Sequence, residues 1–268
     1  MEWQPYWPKV SPAEYVLTGA AIAGTVSLVL LLDYSDDGYE HGVLYDDAVR
    51  EQLRGTSRED RNIARTVGDF GYRSMLIFPV ADVAISALAV HGNGEVAWQM
   101  FSISAEAMAL AGLAGIATDH LVGRGRPSNI PCKDNPEYER FCGEVDQFGS
   151  FISGHTAIAS AGAGVTCAHH LNMPLYGGGA PDVLVCVGAS ALAITTGVAR
   201  IINDRHWATD VTFAWGVGAV TGYVWPTLLH YRSAPKSNDE SRSRPAFRHA
   251  FVPSVAPGAV GLGWYAMF

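Results

Sequence analysis

The sequence predicts an all-α fold: an integral membrane bundle of six helices. Only 16% of its 268 residues are charged, whereas soluble domains average about 25%. Charged residues are also absent or nearly absent from several long apolar stretches. The lengths of these stretches come near the roughly 20 apolar residues that a helix needs to cross a bilayer. These stretches are apolar on all sides, whereas helices around a soluble core carry a polar face. Six stretches contain at most one charged residue each: 15–32, 74–94, 96–118, 156–181, 183–199 and 211–231.

Each stretch predicts one membrane helix, and the turns between them set approximate limits. The first helix lacks a strong basic region before it and a small-x-small site after it, so we expect it to be retained rather than cleaved. Arginines interleaved with acids before the second helix indicate an amphipathic surface helix. The predicted helices cover about 13–33, 73–92, 96–120, 152–171, 182–202 and 207–230. The predicted regions are 1–33 (N-terminus and first membrane helix), 34–71 (polar surface segment), 72–230 (core membrane domain) and 231–268 (tail).

The charges of the tail predict the orientation. Six helices place both termini on one side of the membrane. Positive residues favour the cytoplasm, and the tail is expected there. The loop 123–150 then faces the extracytoplasmic side of a bacterial inner membrane or a plasma membrane. The end of the tail is also expected to form one or two β-strands. The basic residues of the tail are Arg232, Lys236, Arg242, Arg244 and Arg248.

The four cysteines fall into two pairs. Cys132 and Cys142 lie in the loop expected outside the cytoplasm, where a disulfide can persist, so we predict a bond between them; the alternative is two free thiols. Cys167 and Cys186 lie within predicted helices and are interpreted as small core residues.

Several other polar residues interrupt the apolar stretches. Asp82 and Glu106 fall in the middle of helices, where charge is costly, and we expect partners on other helices or protonated, hydrogen-bonded forms. His169 and His170 end the fourth helix and are interpreted as interfacial. The net charge of −8 and the lack of a basic stripe interleaved with aromatic residues argue against a nucleic-acid partner.

Three polar clusters lie at helix ends that the topology brings to one membrane face. GRGRP (123–127) follows the third helix, SGH (153–155) opens the fourth, and ARIINDRHWATD (199–210) joins the fifth to the sixth. Each cluster alone has a structural explanation, such as a topology signal or a helix cap. Their joint occurrence at one depth points to a site.

The residue types in these clusters suit phosphate chemistry. Arg124, Arg126 and Arg200 carry planar guanidinium groups that bind phosphate oxygens in pairs. The other two phosphate-binding candidates are Ser153 and Gly154, which open a helix whose N-terminus attracts anions.

The remaining candidates are catalytic. His206 and Asp210 are four residues apart on one helical face, so the carboxylate is expected to accept the Nδ1–H and to leave Nε2 free to attack phosphorus. His155 is expected to protonate the leaving oxygen and then to activate water. This set predicts phosphoryl transfer with neither a metal nor a cofactor.

These residues resemble the type 2 phosphatidic acid phosphatase superfamily, whose pattern is Lys-x6-Arg-Pro, Pro-Ser-Gly-His and Ser-Arg-x5-His-x3-Asp. The first element matches at Arg126-Pro127, the second at 153–155, and the third at Arg200, His206 and Asp210. The resemblance covers about residues 70–230. It implies catalytic or phosphate-binding roles for Arg126, Ser153, His155, Arg200, His206 and Asp210.

The sequence departs from this pattern at three positions. Ile152 replaces a proline and Ala199 replaces a serine, which changes no charge. Asp119 replaces the lysine and reverses the charge beside the expected phosphate. We expect Asp119 to pair with Arg124 or another arginine, or to point away, and Lys133 is a candidate replacement cation.

The expected function is therefore a membrane phosphatase that hydrolyses a lipid phosphate or polyprenyl diphosphate at the extracytoplasmic surface, with the bilayer and the lipid as its partners. One alternative is a phosphotransferase, in which an alcohol replaces water. The other is a lipid-binding relative silenced by Asp119. Neither the lipid nor the oligomeric state is predicted.

Overall fold

The computed structural model describes residues 1–34, 37–231, 248–256 and 259–267. The chain divides into two units, Met1–Arg232 and Ser233–Phe268. The first unit is helical, as predicted. Its helices are α1 (Pro12–Leu31), α2 (Asp46–Leu53), α3 (Arg58–Val83), α4 (Gly94–Val122), α5 (Asn129–Asp134), α6 (Gly154–Asn172), α7 (Ala180–Ile202), α8 (Ala208–Ala219) and α9 (Trp225–Leu229).

Two π-helical turns make longer rods of these helices. Ala84–Val90 continues α3, and Val220–Val224 joins α8 to α9. Four helices of the described chain are long and apolar enough to cross a membrane: Pro12–Leu31, Arg58–Val90, Gly94–Val122 and Ala180–Ile202. The remaining two spans of the predicted six stay a prediction.

The second predicted membrane helix begins earlier than expected. Its start was placed near residue 73, but α3 begins at Arg58. The cause is a capping box: the Ser57 hydroxyl accepts from the Asp60 amide at 3.0 Å, and the Asp60 carboxylate accepts from the Ser57 amide at 2.9 Å. Residues 58–71 of the predicted surface segment are therefore the first part of a long helix, and α2 is the only other helix within that segment among the described residues.

The helix α6 lies at the centre of the first unit and packs against α3, α4, α7 and α8. Its sequence makes this possible, because small residues let helix backbones approach closely. A Cβ atom built on Gly162 would lie 2.2 Å from the Met75 carbonyl oxygen of α3, and one on Gly218 would lie 2.4 Å from the Ser160 Cβ. These approaches bring the beginning of α6 next to the ends of the surrounding helices.

The end of α6 carries a buried polar network, which corrects the interpretation of its histidines as interfacial. His170 is held between two carboxylates, with Nδ1 2.6 Å from Asp182 and Nε2 3.1 Å from Asp82. His169 contacts the Ser104 hydroxyl at 3.0 Å and the Tyr231 hydroxyl at 2.6 Å. Buried polar groups are kept where partners satisfy them, and this network joins α3, α4, α6 and α7. The expectation of a partner for Asp82 is met.

Glu106 also finds a partner, since its Oε1 accepts from the Trp225 indole at 3.3 Å. Nearby, His230 Nε2 lies 2.8 Å from Glu14 Oε1, and His230 Nδ1 lies 3.0 Å from the Pro8 carbonyl oxygen. The N-terminal segment is thereby joined to the end of the last helix of the first unit.

All four cysteines form disulfides. The bond between Cys132 and Cys142 is present as predicted. Cys167 and Cys186 were expected to be free core residues, but they form a second disulfide. Their helices α6 and α7 pack closely along their length, and this brings the two Cα atoms to 4.5 Å.

The second unit contains the β-structure expected near the end of the chain. Strands β1 (Arg248–Ala256) and β2 (Ala259–Met267) pair antiparallel, with Arg248 opposite Met267 and Ala256 opposite Ala259. The all-α prediction therefore holds for the first unit only.

Candidate active site

A cavity of about 470 Å³ lies beside the 123–150 loop. It is lined by the first half of α3, the beginning of α6 and the C-terminal parts of α4 and α7. Five of the predicted site residues line it: Arg126, Gly154, His155, Arg200 and His206. The predicted residues Arg124, Ser153 and Asp210 lie behind the cavity wall, where each is buried.

His206 is fixed in one tautomer by its two neighbours. Its Nδ1 lies 2.8 Å from the Ser150 carbonyl oxygen, which can only accept, so Nδ1 carries the hydrogen. Its Nε2 lies 3.2 Å from Nη1 of Arg126, which can only donate, so Nε2 presents its lone pair. Burial and then the charges of Arg126 and Arg200 hold the pKa of His206 well below its usual value. The ring is therefore neutral and its Nε2 is available as a nucleophile.

Asp210 acts on His206 through Ser150 rather than directly. Its Oδ2 is 4.0 Å from His206 Nδ1, beyond hydrogen-bond distance. The same oxygen accepts from the Ser150 hydroxyl at 2.6 Å and from the Trp207 amide at 2.9 Å. The predicted direct contact is wrong in this structure, because the backbone of Ser150 occupies the position at Nδ1.

Arg124 completes the support of Asp210. Its guanidinium donates to Asp210, to the Thr209 hydroxyl at 2.8 Å and to Asp46 at 2.5 Å. Asp46 also accepts from the Thr209 amide at 2.7 Å. This placement, outside the cavity and between two carboxylates, does not favour the phosphate-binding role predicted for Arg124.

Arg126 and Arg205 share one carboxylate on the cavity wall. Asp146 Oδ2 accepts from both, at 2.7 Å each. Burial raises the pKa of Asp146, but the charges of Arg126 and Arg205 outweigh it and leave that pKa below its usual value. A salt bridge of this kind fixes the fork of each arginine in one orientation.

His155 and Arg200 share a second carboxylate. Asp69 Oδ1 lies 3.4 Å from His155 Nε2 and 3.4 Å from Arg200 Nη1. The Tyr72 ring lies 4.6 Å from the His155 ring, centroid to centroid. Both Asp69 and Tyr72 belong to α3, so the early start of that helix supplies one wall of the site.

The N-terminus of α6 points at the cavity. Gly154 and His155 line it, and the Ser153 hydroxyl just outside the helix is 2.8 Å from the Thr156 hydroxyl. A Cβ on Gly115 would lie 3.1 Å from the Gly154 Cα, so α4 closes tightly on this turn. Ser153 therefore contacts the first turn of α6 and does not line the cavity.

Asp119 takes none of the positions expected for it. It lines the cavity, and its buried Oδ1 has no hydrogen-bond partner among the described residues. Arg124 is bound to Asp46 and Asp210 instead. Lys133 pairs with Glu40 at the exposed surface and supplies no charge to the cavity.

Asp69, Asp146, Arg205 and Ser150 were not predicted as site residues. Arg205 directly precedes His206, and this adjacency was a usable signal. Asp69 was assigned to a surface segment, and Asp146 and Ser150 lie in a loop, where only the folded backbone reveals what faces the cavity.

Within the described residues, Glu14, Glu106 and His230 are the group whose ligand atoms lie close enough to hold a metal ion, all within 4.8 Å of one another. They do not line the cavity. The cavity itself combines arginines, two imidazoles and a helix N-terminus, which together suit an anion.

These features define a class: a helical membrane protein with an anion-suited cavity at the ends of its helices. The model of the PAP2 superfamily matches residues 102–234. Over 161 residues the chain is 30% identical to a lipid A 1-phosphatase of Porphyromonas gingivalis, a match covering 59% of this chain and 31% of that protein. Residues 102–234 therefore form a PAP2 superfamily domain, and the matched part of the chain spans about a third of that relative's length.

Proposed function

We propose that the protein is a membrane phosphatase that hydrolyses a lipid phosphate or polyprenyl diphosphate through a phosphohistidine at His206, without a metal ion. The observation that carries the proposal is the tautomer of His206. Its Nε2 lone pair faces Nη1 of Arg126, which lines the cavity with it, while its Nδ1–H donates to the Ser150 carbonyl oxygen.

In the first step, Nε2 of His206 attacks phosphorus and the bond to the lipid oxygen breaks. Arg126 releases Nε2 and binds a phosphoryl oxygen. The phosphorylated ring is cationic, because Nδ1 keeps its hydrogen, and the Ser150 carbonyl stabilises that charge. Asp210 holds Ser150 and the Trp207 amide in place.

His155 handles the protons in both steps. It donates a proton to the leaving lipid oxygen, and Asp69 offsets part of the effect of burial and of the Arg200 charge, both of which oppose the charged imidazole that this step requires. The neutral imidazole then accepts a proton from water as the water attacks phosphorus. Phosphate leaves, and both histidines return to their starting states.

The arginines supply the charge that a metal supplies in other phosphatases. Arg126, Arg200 and Arg205 all line the cavity, and each can bind the equatorial oxygens that gain charge in the transition state. Because these guanidinium groups can neutralise the charge of a bound phosphoryl group, we infer that the reaction needs no metal ion.

Two observations support a lipid substrate. The cavity lies at the ends of apolar helices, where a headgroup meets a membrane surface. The lipid A 1-phosphatase relative acts, by its name, on a lipid phosphate. We place the site on the extracytoplasmic side because of the basic residues in the tail.

Phosphate release from a panel of lipid phosphates tests this function. We expect purified protein to release phosphate with and without EDTA, and His206→Ala to lose at least about a thousandfold in rate, as nucleophile removal does elsewhere. Equal release by the variant would remove the mechanism, and loss of activity in EDTA would remove metal independence.

Asp119, whose buried Oδ1 has no hydrogen-bond partner among the described residues, favours one alternative, a lipid-binding relative that does not turn over. A carboxylate facing a phosphate repels it. If Asp119 silences the site, wild type binds lipid phosphate without releasing phosphate, and Asp119→Lys restores release. We expect wild type to be active and Asp119→Asn to lower KM severalfold by removing the charge.

A further inference from the structure

A groove of about 850 Å³ runs along α3 and meets the catalytic cavity. Its floor is formed by two rows of side chains on α3, and within each row the residues are spaced four positions apart. The exposed side chains of Phe70 and Ile77 belong to this floor. At 1.5 Å per residue, the stretch from Arg65 to Ala81 is about 24 Å long, comparable to an extended acyl chain. Its lining residues are Arg65, Thr66, Asp69, Phe70, Arg73, Ser74, Ile77, Phe78, Ala81, Arg140 and Phe141.

The groove is continuous with the site. Arg65, Asp69 and Phe141 line both the groove and the catalytic cavity. Asp69 is the carboxylate that contacts His155 and Arg200. A chain lying in the groove therefore ends beside the reacting groups.

Charge separates the two ends of the groove. Arg65 and Arg140 lie toward the end near the cavity, Arg73 lies midway along the groove, and Ile77, Phe78 and Ala81 lie at the other end. None of these three arginines forms an ion pair with a carboxylate in the described part of the chain, whereas the buried arginines Arg126, Arg200 and Arg205 all do.

We propose that this groove is the subsite for the substrate's lipid part, with an acyl chain lying along α3. Arg65, Arg73 and Arg140 bind a second anionic group of the headgroup, distinct from the phosphate that reacts. The proposal rests on the phosphatase function above and deepens it. The preferred substrate is then a lipid with two anionic groups, of which one is cleaved.

The chain part of the proposal is tested by filling the groove. Ile77 is 63% exposed, so Ile77→Trp adds bulk to the groove without disturbing the core. The matched control is Ile194→Trp, 53% exposed, in a second apolar groove of about 420 Å³ that shares no lining residue with the cavity. Both variants are compared with wild type on dioleoyl phosphatidic acid in mixed micelles and on p-nitrophenyl phosphate, which has no chain.

We expect Ile77→Trp to lower kcat/KM for the lipid about tenfold, chiefly through KM, with less than about twofold change for p-nitrophenyl phosphate. Ile194→Trp should change neither. Equal behaviour of the two variants, or equal loss on both substrates, overturns the chain subsite. Wild type that releases no phosphate from either substrate overturns the proposed function instead.

The headgroup part is tested with Arg73→Gln and Arg140→Gln, and Arg54→Gln, an exposed arginine of the α2 end outside the groove, is the control. We expect the first two to raise KM for phosphatidylglycerol phosphate, which has two anionic groups, about fivefold more than KM for phosphatidic acid, which has one. An equal effect on both lipids, or none, overturns the second anionic contact.

Discussion

At the scale of the residue, His206 owes its proposed reactivity to four neighbours. The Ser150 carbonyl accepts from Nδ1–H, Asp210 holds Ser150, and burial together with the charges of Arg126 and Arg200 lowers the pKa of the ring. Asp210 is itself held by Arg124. Buried hydrogen bonds thus connect Arg124, through Asp210 and Ser150, to Nδ1 of His206, the ring nitrogen opposite the attacking Nε2. Such bonds orient a group without touching the substrate.

The lowered pKa of His206 gives a measurable expectation. An ordinary histidine has a pKa near about 6.5, and a lowered value means that the ring stays neutral as pH falls through 6.5. We expect its ring carbon signal, followed by NMR and assigned with His206→Asn, to show the neutral form at pH about 6. In Arg126→Gln a positive charge is gone, so the pKa should rise. A wild-type midpoint at or above about 6.5 would contradict this.

Asp69 is a positioning residue for His155, and its removal should affect turnover more than binding. We expect Asp69→Asn to lower kcat about tenfold or more with KM changed less than about threefold, because the general acid loses the carboxylate that stabilises its charge. Asp69→Glu should recover part of kcat. An equal loss in both variants, with reduced thermal stability, would point to a structural role only.

The residues found from sequence are those whose type and spacing both carry information. His155, His206, Arg126 and Arg200 line the cavity as the motifs predicted. The direct contact between Asp210 and His206 was predicted from four-residue spacing, but α8 begins at Ala208, so His206 precedes the helix and the spacing rule does not apply. Asp69 could not be found, because nothing in its local sequence relates it to His155.

At the scale of the element, the bundle depends on glycines that let α6 touch its neighbours. Gly218 and Gly216 of α8 form a matched pair. A Cβ on Gly218 would lie 2.6 Å from the Ala157 carbonyl oxygen, while one on Gly216 has no atom within 4 Å.

We expect Gly218→Ala to destabilise the protein by about 1–3 kcal/mol through overpacking. Gly216→Ala should leave stability unchanged or raise it by up to about 1 kcal/mol, the helix propensity difference. Thermal unfolding in detergent, measured by circular dichroism, checks both. Equal unfolding temperatures for the two variants would show that α8 can move away from α6 without a loss of stability.

Helix boundaries were predicted well where charge ends a helix and poorly where it does not. Gly154 and Ile202 lie close to the predicted limits, next to polar motifs. The start of α3 was missed because the polar residues 58–72 were interpreted as a surface segment. They instead extend the apolar part of α3 at its N-terminal end. Hydropathy locates the part of a helix that is buried in lipid, and capping locates its end.

At the scale of the whole molecule, the first unit carries different chemistry at its two ends. The cavity lies at the beginning of α6, and the His170 network lies about 24 Å further along the same helix. The helical membrane fold class was predictable because the lengths of the apolar stretches can be counted directly in the sequence. The Cys167–Cys186 bond was not, because it depends on which helix faces which.

Orientation in the membrane is open to a direct test. Since all four cysteines are in disulfides, one added cysteine supplies a free thiol. We expect Val145→Cys, in the loop, to react with a membrane-impermeant maleimide in intact cells, and Leu171→Cys, at the other end of α6, to react only after permeabilisation. The reverse order would place the site in the cytoplasm.

The central claim is that His206 forms the covalent intermediate, and a burst measurement tests it most directly. p-Nitrophenyl phosphate has a good leaving group, so the first step needs little help from His155, while hydrolysis of the intermediate still needs that base. We expect His155→Ala to release one equivalent of p-nitrophenol per protein in a rapid burst and to hold an acid-labile phosphate that His206→Ala lacks. A burst and label of equal size in the double variant His155→Ala/His206→Ala would contradict it.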